Sequence, residues 1–172
     1  MKRNILLHPD PRLKKTAAPL SDLSDGLRRL ADDMVETMYA APGIGLAAPQ
    51  VGVLEQVIVL DCTPDDSAER GLFVMFNPQV TAWSNDTSSY EEGCLSIPDH
   101  YGQVTRPAEV TVTWLDRDGT PQEQDFSELW SICVQHEIDH LDGKLFIDYL
   151  GIMKRQLITR KMQKLKRERA RL

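Results

Sequence analysis

Apolar residues recur at Leu27, Leu30, Met34 and Met38, with Ala31 and Val35 between them, the spacing of one face of an amphipathic helix. Ser24 or Asp25 is placed to cap its start, and Pro42-Gly43 ends it. The small-residue segment Gly43-Ile-Gly-Leu-Ala-Ala-Pro-Gln50 then reads as a loop. Val57–Leu60 and Leu72–Phe76 are continuous apolar runs, the mark of buried strands, with polar residues 61–70 looping between them. Val110, Val112 and Trp114 alternate with Thr111, Thr113 and Leu115, and Asp116-Arg-Asp-Gly119 predicts a hairpin into residues 120–126. Ser127 is the expected N-cap of a helix reaching about Asp142, with Gly143 at its C′ position. A final helix carries Leu150, Met153 and Leu157 on one stripe and Ile158, Met162 and Leu165 beside it. Short, mainly antiparallel strands around two or three helices predict an α+β fold rather than a wound βαβ sheet.

The length of 172 residues fits one domain, expected to span residues 1–172. The net charge of −6 conceals an asymmetry. Residues 153–172 hold nine Lys/Arg against one Glu, a charge of +8, and the first 152 residues, with eleven bases against 25 acids, carry −14. The longest apolar run is five residues, far below the ~18 of a membrane span, and the N-terminus lacks an apolar export segment. A cytoplasmic protein with no membrane partner is expected. Three cysteines, an odd count with no pairing pattern, suit a reducing compartment, where each thiol is core filler or ligand.

The strongest chemical signal lies on the helix that starts at Ser127: Gln135-His-Glu-Ile-Asp-His140. Two histidines at i and i+4 share a helical face about 6 Å apart, so both imidazoles reach one ion. Glu137, beside the first His, is placed to act as a base toward water there. A catalytic metal usually takes three protein ligands. A downstream third His is excluded, because the metalloprotease spacing ends on Phe146 and no His follows His140. Cys133 lies seven positions before His140, about 10.5 Å along the axis, too far for three donors on one straight helix to converge. It is expected to be a small buried side chain near the site. The third donor must come from upstream, where Cys94 in Glu91-Glu-Gly-Cys-Leu-Ser-Ile-Pro98 is best placed and Cys62 competes. One Cys and two His suit a borderline-soft ion such as Fe2+, Zn2+, Ni2+ or Co2+.

Three segments together resemble one family, the peptide deformylases: Gly43–Gln50, Glu92-Gly-Cys-Leu-Ser96 and Gln135–His140. The match in order and separation covers nearly the whole chain. The resemblance implies Cys94, His136 and His140 as metal ligands and Glu137 as the acid–base residue. It implies an oxyanion hole from the Gln50 side chain and the Leu95 backbone N–H. It further implies ferrous iron as the usual ion, with nickel, cobalt or zinc as substitutes. The implied reaction removes the formyl group from the initiator methionine of nascent chains, giving formate and a free amine. An apolar methionine pocket is expected from Leu129, Ile132, Cys133 and His136 on the helix and from Ile44 and Tyr90 on the loop side. Gly45 would let a peptide backbone approach closely. Tyr90 and Trp130 are bulkier than the residues usual at those positions.

Two other readings start from the same residues. A metallopeptidase cutting internal peptide bonds is disfavoured by the missing downstream ligand. A non-catalytic protein that holds metal for its fold is disfavoured by Glu137 and Gln50. The basic extension, residues 153–172, is an electrostatic footprint for an RNA-rich surface. Resemblance to deformylases, in which a C-terminal helix is implicated in docking near the ribosomal exit tunnel, implies the ribosome as that surface.

Overall fold

The computed structural model describes residues 1–171. The first amphipathic segment forms helix α1 (Asp25–Ala40), whose start is capped by the Ser24 hydroxyl accepting from the Leu27 N–H at 3.2 Å. Five strands, β1 (Gly45–Ala47), β2 (Val57–Leu60), β3 (Phe73–Trp83), β6 (Glu109–Leu115) and β7 (Pro121–Ser127), form an antiparallel sheet in the order β1-β2-β3-β6-β7. A separate hairpin pairs β4 (Thr87–Cys94) with β5 (Ile97–Pro107). Helices α2 (Glu128–Leu141) and α3 (Ile152–Arg169) complete an α+β architecture.

The uninterrupted apolar run of β2 has a physical reason: the strand is covered on both faces. Ile58 and Leu60 pack with Ala47, Met75, Val112 and the α2 residues Val134 and Leu141. Val57 and Val59 pack with Leu30, Met34 and Met38 of α1. Helix α2 is therefore enclosed, held between the sheet and the β4–β5 hairpin. Ser127 precedes it as expected, although its side chain makes no capping bond. Gly143 ends it at φ +72°, and a Cβ there would lie 2.7 Å from the Lys14 carbonyl carbon, so a side chain is disfavoured twice over. An aromatic cluster anchors the start of α2: Phe73 meets Trp114, Phe126 and Trp130 edge-on at 5.9, 5.3 and 5.5 Å. Trp130 thus packs against the sheet core.

The predicted hairpin into β7 forms, with the Asp116 carboxylate accepting from the N–H groups of Asp118 and Thr120 at 2.9 Å and Gly119 at φ +81°. Three readings change. Gly43–Gln50 is not simply a loop, because Gly45–Ala47 pairs with Ile58–Leu60 as an edge strand and a 3-10 turn follows at Ala48–Val51. The strand starting at Phe73 runs on to Trp83, and nothing in the apolar pattern predicts β4 and β5. On α3, Ile158 and Met162 are buried against Leu13, Ile97 and Phe146, but Met153 and Leu157 are 85% and 52% exposed. Of the first stripe only Leu150 packs on the body. Among the described residues no helix is long and apolar enough to cross a membrane.

Candidate metal centre and substrate cleft

Helix α2 presents His136 and His140 on one buried face. Cys94 closes β4, next to the two-residue turn Leu95-Ser96 that leads into β5. Cys94 pairs with Ile97 but Glu92 pairs with Gly102, so residues 98–101 of β5 bulge opposite the single Gly93, a device of the kind that re-aims a side chain. One donor atom from each of Cys94, His136 and His140 lies within 4.8 Å of the others, and Cys94 Sγ is 3.4 Å from His140 Nε2. The upstream thiol that reaches the histidines is Cys94. Cys62 lies in the sheet core, in the same cluster as Cys133, which is buried with its Sγ 3.6 Å from the Ile44 carbonyl oxygen.

Behind the histidines runs a polar chain, buried at Glu92 and Arg106 and reaching the surface at Tyr149, that the sequence reading did not assign. Glu92 Oε1 lies 2.9 Å from His136 Nδ1, which leaves Nε2 for the site. Arg106 donates to both Glu92 oxygens, at 2.7 and 3.0 Å, and to Asp139 at 2.8 Å. The Tyr149 hydroxyl donates to the same Asp139 oxygen at 2.7 Å, and the Arg106 guanidinium lies 4.8 Å from the Tyr149 ring centre. Burial alone would push the Glu92 carboxyl up, but hydrogen bonds from His136 and Arg106 outweigh it and hold it below the usual range. Burial drives His140 well below an ordinary imidazole, so it is a neutral donor. Burial also opposes charge on His136, yet its bonds with Cys94 and Glu92 raise it well above the ordinary value.

Glu137 follows His136 and is 4% exposed, with Oε2 lacking any protein partner. Burial pushes its carboxyl up to about 7. Gly45 is the reason it fits: a Cβ on that edge-strand residue would sit 2.8 Å from the Glu137 carboxyl carbon. Gln50 is 1% exposed, and its Oε1 accepts from the Ala47 N–H at 2.9 Å. That bond turns the amide nitrogen toward Cys94 Sγ (3.4 Å) and Ser96 Oγ (3.1 Å). The thiolate/imidazole donor set, the orphaned Glu137 oxygen and the converging geometry fit a divalent metal ion.

A cleft of about 590 Å³ opens onto this centre. Its wall includes every residue the sequence reading placed in a pocket: Ile44, Gly45, Tyr90, Leu129, Ile132 and Cys133. Gln50, Cys94, Leu95, His136 and Glu137 line it too, whereas His140 lies behind. The volume is that of a ligand site for a few residues of peptide.

An α+β body with a Cys/His/His group and a buried carboxylate at the end of a cleft defines a metal-binding hydrolase. The sequence profile of the polypeptide deformylase family matches residues 2–156. A peptide deformylase of Nitrosococcus oceani is 51% identical over 164 residues, 95% of this chain and 96% of the relative. The crystal structure of a peptide deformylase from Legionella pneumophila superposes with a TM-score of 0.90 at 44% identity, covering 100% of this chain and 99% of that one. A class I type b peptide deformylase from Acinetobacter baumannii, crystallised with Met-Ala-Ser bound, gives a TM-score of 0.82 at 37% identity over 87% of this chain and 99% of its own. The chain belongs to the polypeptide deformylase family, enzymes that remove the N-formyl group from nascent peptides.

Proposed function

We propose that this chain hydrolyses the formamide at the N-terminal methionine of nascent peptides, with Cys94, His136 and His140 holding one ferrous ion. Zinc, nickel or cobalt would substitute. The observation that carries the reading is the convergence of these three donors beside a buried, unpartnered Glu137 at the end of a peptide-sized cleft. A divalent ion bound there supplies Lewis acidity toward a carbonyl oxygen and acidifies water.

The protein does the rest. Glu137, with its pKa near neutrality, takes a proton from the attacking water and returns it to the leaving amine. The C–N bond breaks, and formate and a free α-amine result. The Gln50 amide, locked by Ala47, and the Leu95 N–H donate to the oxygen on which negative charge develops. Glu92 fixes the His136 ring. Ile44, Tyr90, Leu129, Ile132 and Cys133 take the methionine side chain, and Gly45 accommodates the peptide backbone. The Acinetobacter baumannii relative crystallised with Met-Ala-Ser supports a peptide beginning with methionine as the ligand. Formate release from formyl-Met-Ala-Ser by the nickel- or iron-loaded protein tests the reading.

The same proposal takes residues 1–172 as one catalytic domain acting in the cytoplasm. It assigns α3 to docking on the ribosome, an RNA-rich surface. The support is that, among the described residues, only Lys164 of the nine bases from Lys154 to Arg171 forms an ion pair within 4.0 Å, with Glu168 at 3.9 Å.

A further inference from the structure

Asp61 directly follows β2 and is 1% exposed, yet none of the chemistry above uses it. Its Oδ2 accepts from the Tyr39 hydroxyl at 2.6 Å and from Arg70 Nε at 2.9 Å, and its Oδ1 accepts from the Thr63 N–H at 2.9 Å. The Arg70 guanidinium also lies 5.5 Å from the Tyr39 ring centre. Burial pushes the Asp61 carboxyl up, but hydrogen bonds from Thr63, Tyr39 and Arg70 outweigh it and hold it at about 2, so the group is an anion at neutral pH. The backbone N–H of the same residue donates to the Ile44 carbonyl oxygen at 2.8 Å. Tyr39 belongs to the last turn of α1, and residues 41–44, which follow it, line the cleft. Asp61 therefore holds both ends of that short segment, with its side chain at Tyr39 and its N–H at Ile44.

The hold on Ile44 decides what the cleft offers to a peptide. In a trans peptide unit the carbonyl and the following N–H point in opposite directions. The Ile44 carbonyl faces Asp61, so the Gly45 N–H faces away from β2. Strand β1 is the edge of its sheet, and alternation along the ladder turns the Gly45 carbonyl to the same open side. The next outward N–H, that of Ala47, is already taken by Gln50 Oε1. Gly45, in the cleft wall, is thus the position of β1 left to pair with an extended backbone. The Ile44–Asp61 rung lies one step beyond the paired residues Gly45 and Leu60, at the end of the ladder, where local opening is easiest. The bonds to the carboxylate are what secure it.

Resting on the deformylase reading above, we infer that Asp61, braced by Tyr39 and Arg70, is a positioning residue for the peptide substrate: it fixes the terminal β1–β2 rung and so aims the Gly45 backbone into the cleft. Pairing of the substrate backbone with Gly45 is made alike in ground and transition states, so loosening the brace raises KM and leaves kcat level.

The test measures formate release from formyl-Met-Ala-Ser and calorimetric binding of Met-Ala-Ser on the nickel-loaded wild type, Asp61→Asn and Tyr39→Phe. Asp61→Asn is expected to raise KM and weaken Met-Ala-Ser binding about three- to tenfold, with kcat within about twofold of wild type and nickel content unchanged. Tyr39→Phe keeps the carboxylate and removes one donor. It is expected to move both quantities the same way by less, and it carries the test if Asp61→Asn does not fold. A merely structural role would lower stability in urea and leave KM and peptide affinity at their wild-type values. That result in the variants that fold overturns the inference, as does a fall in kcat at level KM. No formate from the wild type overturns the deformylase reading, and the Met-Ala-Ser affinities then still decide the inference.

Discussion

Glu92 and His136, forty-four residues apart in sequence, meet through a 2.9 Å bond between Oε1 and Nδ1, and Arg106 grips the far side of the same carboxylate. The pair orients the imidazole and makes it a better donor toward an ion. Glu92→Gln keeps the shape but leaves the Arg106 charge, 3% exposed, with Asp139 alone. Metal affinity, read by chelator competition, is expected to fall about 10–100-fold. Stability in urea is expected to fall by about 3 kcal/mol. Unchanged metal retention would show that the bond does not serve the centre.

Gly45→Ala tests the close approach of β1 to α2. The added methyl has no room against the Glu137 carboxyl group, and the backbone of an edge strand or the helix must give. A loss of about 1–3 kcal/mol in stability is expected from overpacking. A misplaced acid–base group is expected to lower kcat on the order of 10²-fold. Full activity with normal stability would place the Glu137 side chain elsewhere.

The metal-free protein should show the burial of Glu137 in its pH dependence. Its carboxyl is held at about 7 against an ordinary 4.5, so the folded state binds the proton more tightly than the unfolded chain. The resulting stabilisation is fully present below pH 4.5 and is lost as pH rises through about 7. It amounts to about 3 kcal/mol. Relative to Glu137→Gln, the metal-free wild type is therefore expected to lose stability between these limits in urea unfolding. A pH-independent difference between the two would contradict the burial.

Docking by α3 is best tested without shortening it. Ile158 and Met162 are core side chains, each worth about 1.5–3 kcal/mol of burial, so truncation after Leu157 would damage the fold. Replacing Lys154, Lys161, Lys164 and Arg167 by Ala removes charge from exposed positions instead. Ribosome co-sedimentation is expected to weaken, with a shallower dependence on salt. Equal sedimentation of wild type and variant would place the contact elsewhere.

The parts legible in the sequence were those with a strong period or a stringent chemical spacing. The i, i+4 histidines put both imidazoles on α2, and the elimination of downstream donors pointed back to Cys94, where the structure brings the thiol. Helix α1 and the β6–β7 hairpin carried clear apolar rhythm and a defined turn. The β4–β5 hairpin carried none. Its first strand, Thr-Ser-Ser-Tyr-Glu-Glu-Gly-Cys, is polar because only Glu92 of its eight residues is buried, and it pairs only with its neighbour. With that hairpin unread, Arg106 could not be brought to Glu92, nor Asp139 and Tyr149 to Arg106. Buried ion pairs join residues by three-dimensional proximity, and no local rhythm marks them. Trp130 shows the complementary lesson: its size looked awkward for a pocket, yet the edge-on contact with Phe73 turns it to the core.

The most direct test is formate release from formyl-Met-Ala-Ser by the nickel- or iron-loaded protein, wild type against Glu137→Gln, with bound metal measured on both. Turnover by the wild type is expected, together with a loss of about 10²–10⁴-fold in the variant at unchanged metal content. No formate from the metal-loaded wild type, or full activity without the Glu137 carboxylate, would contradict the account.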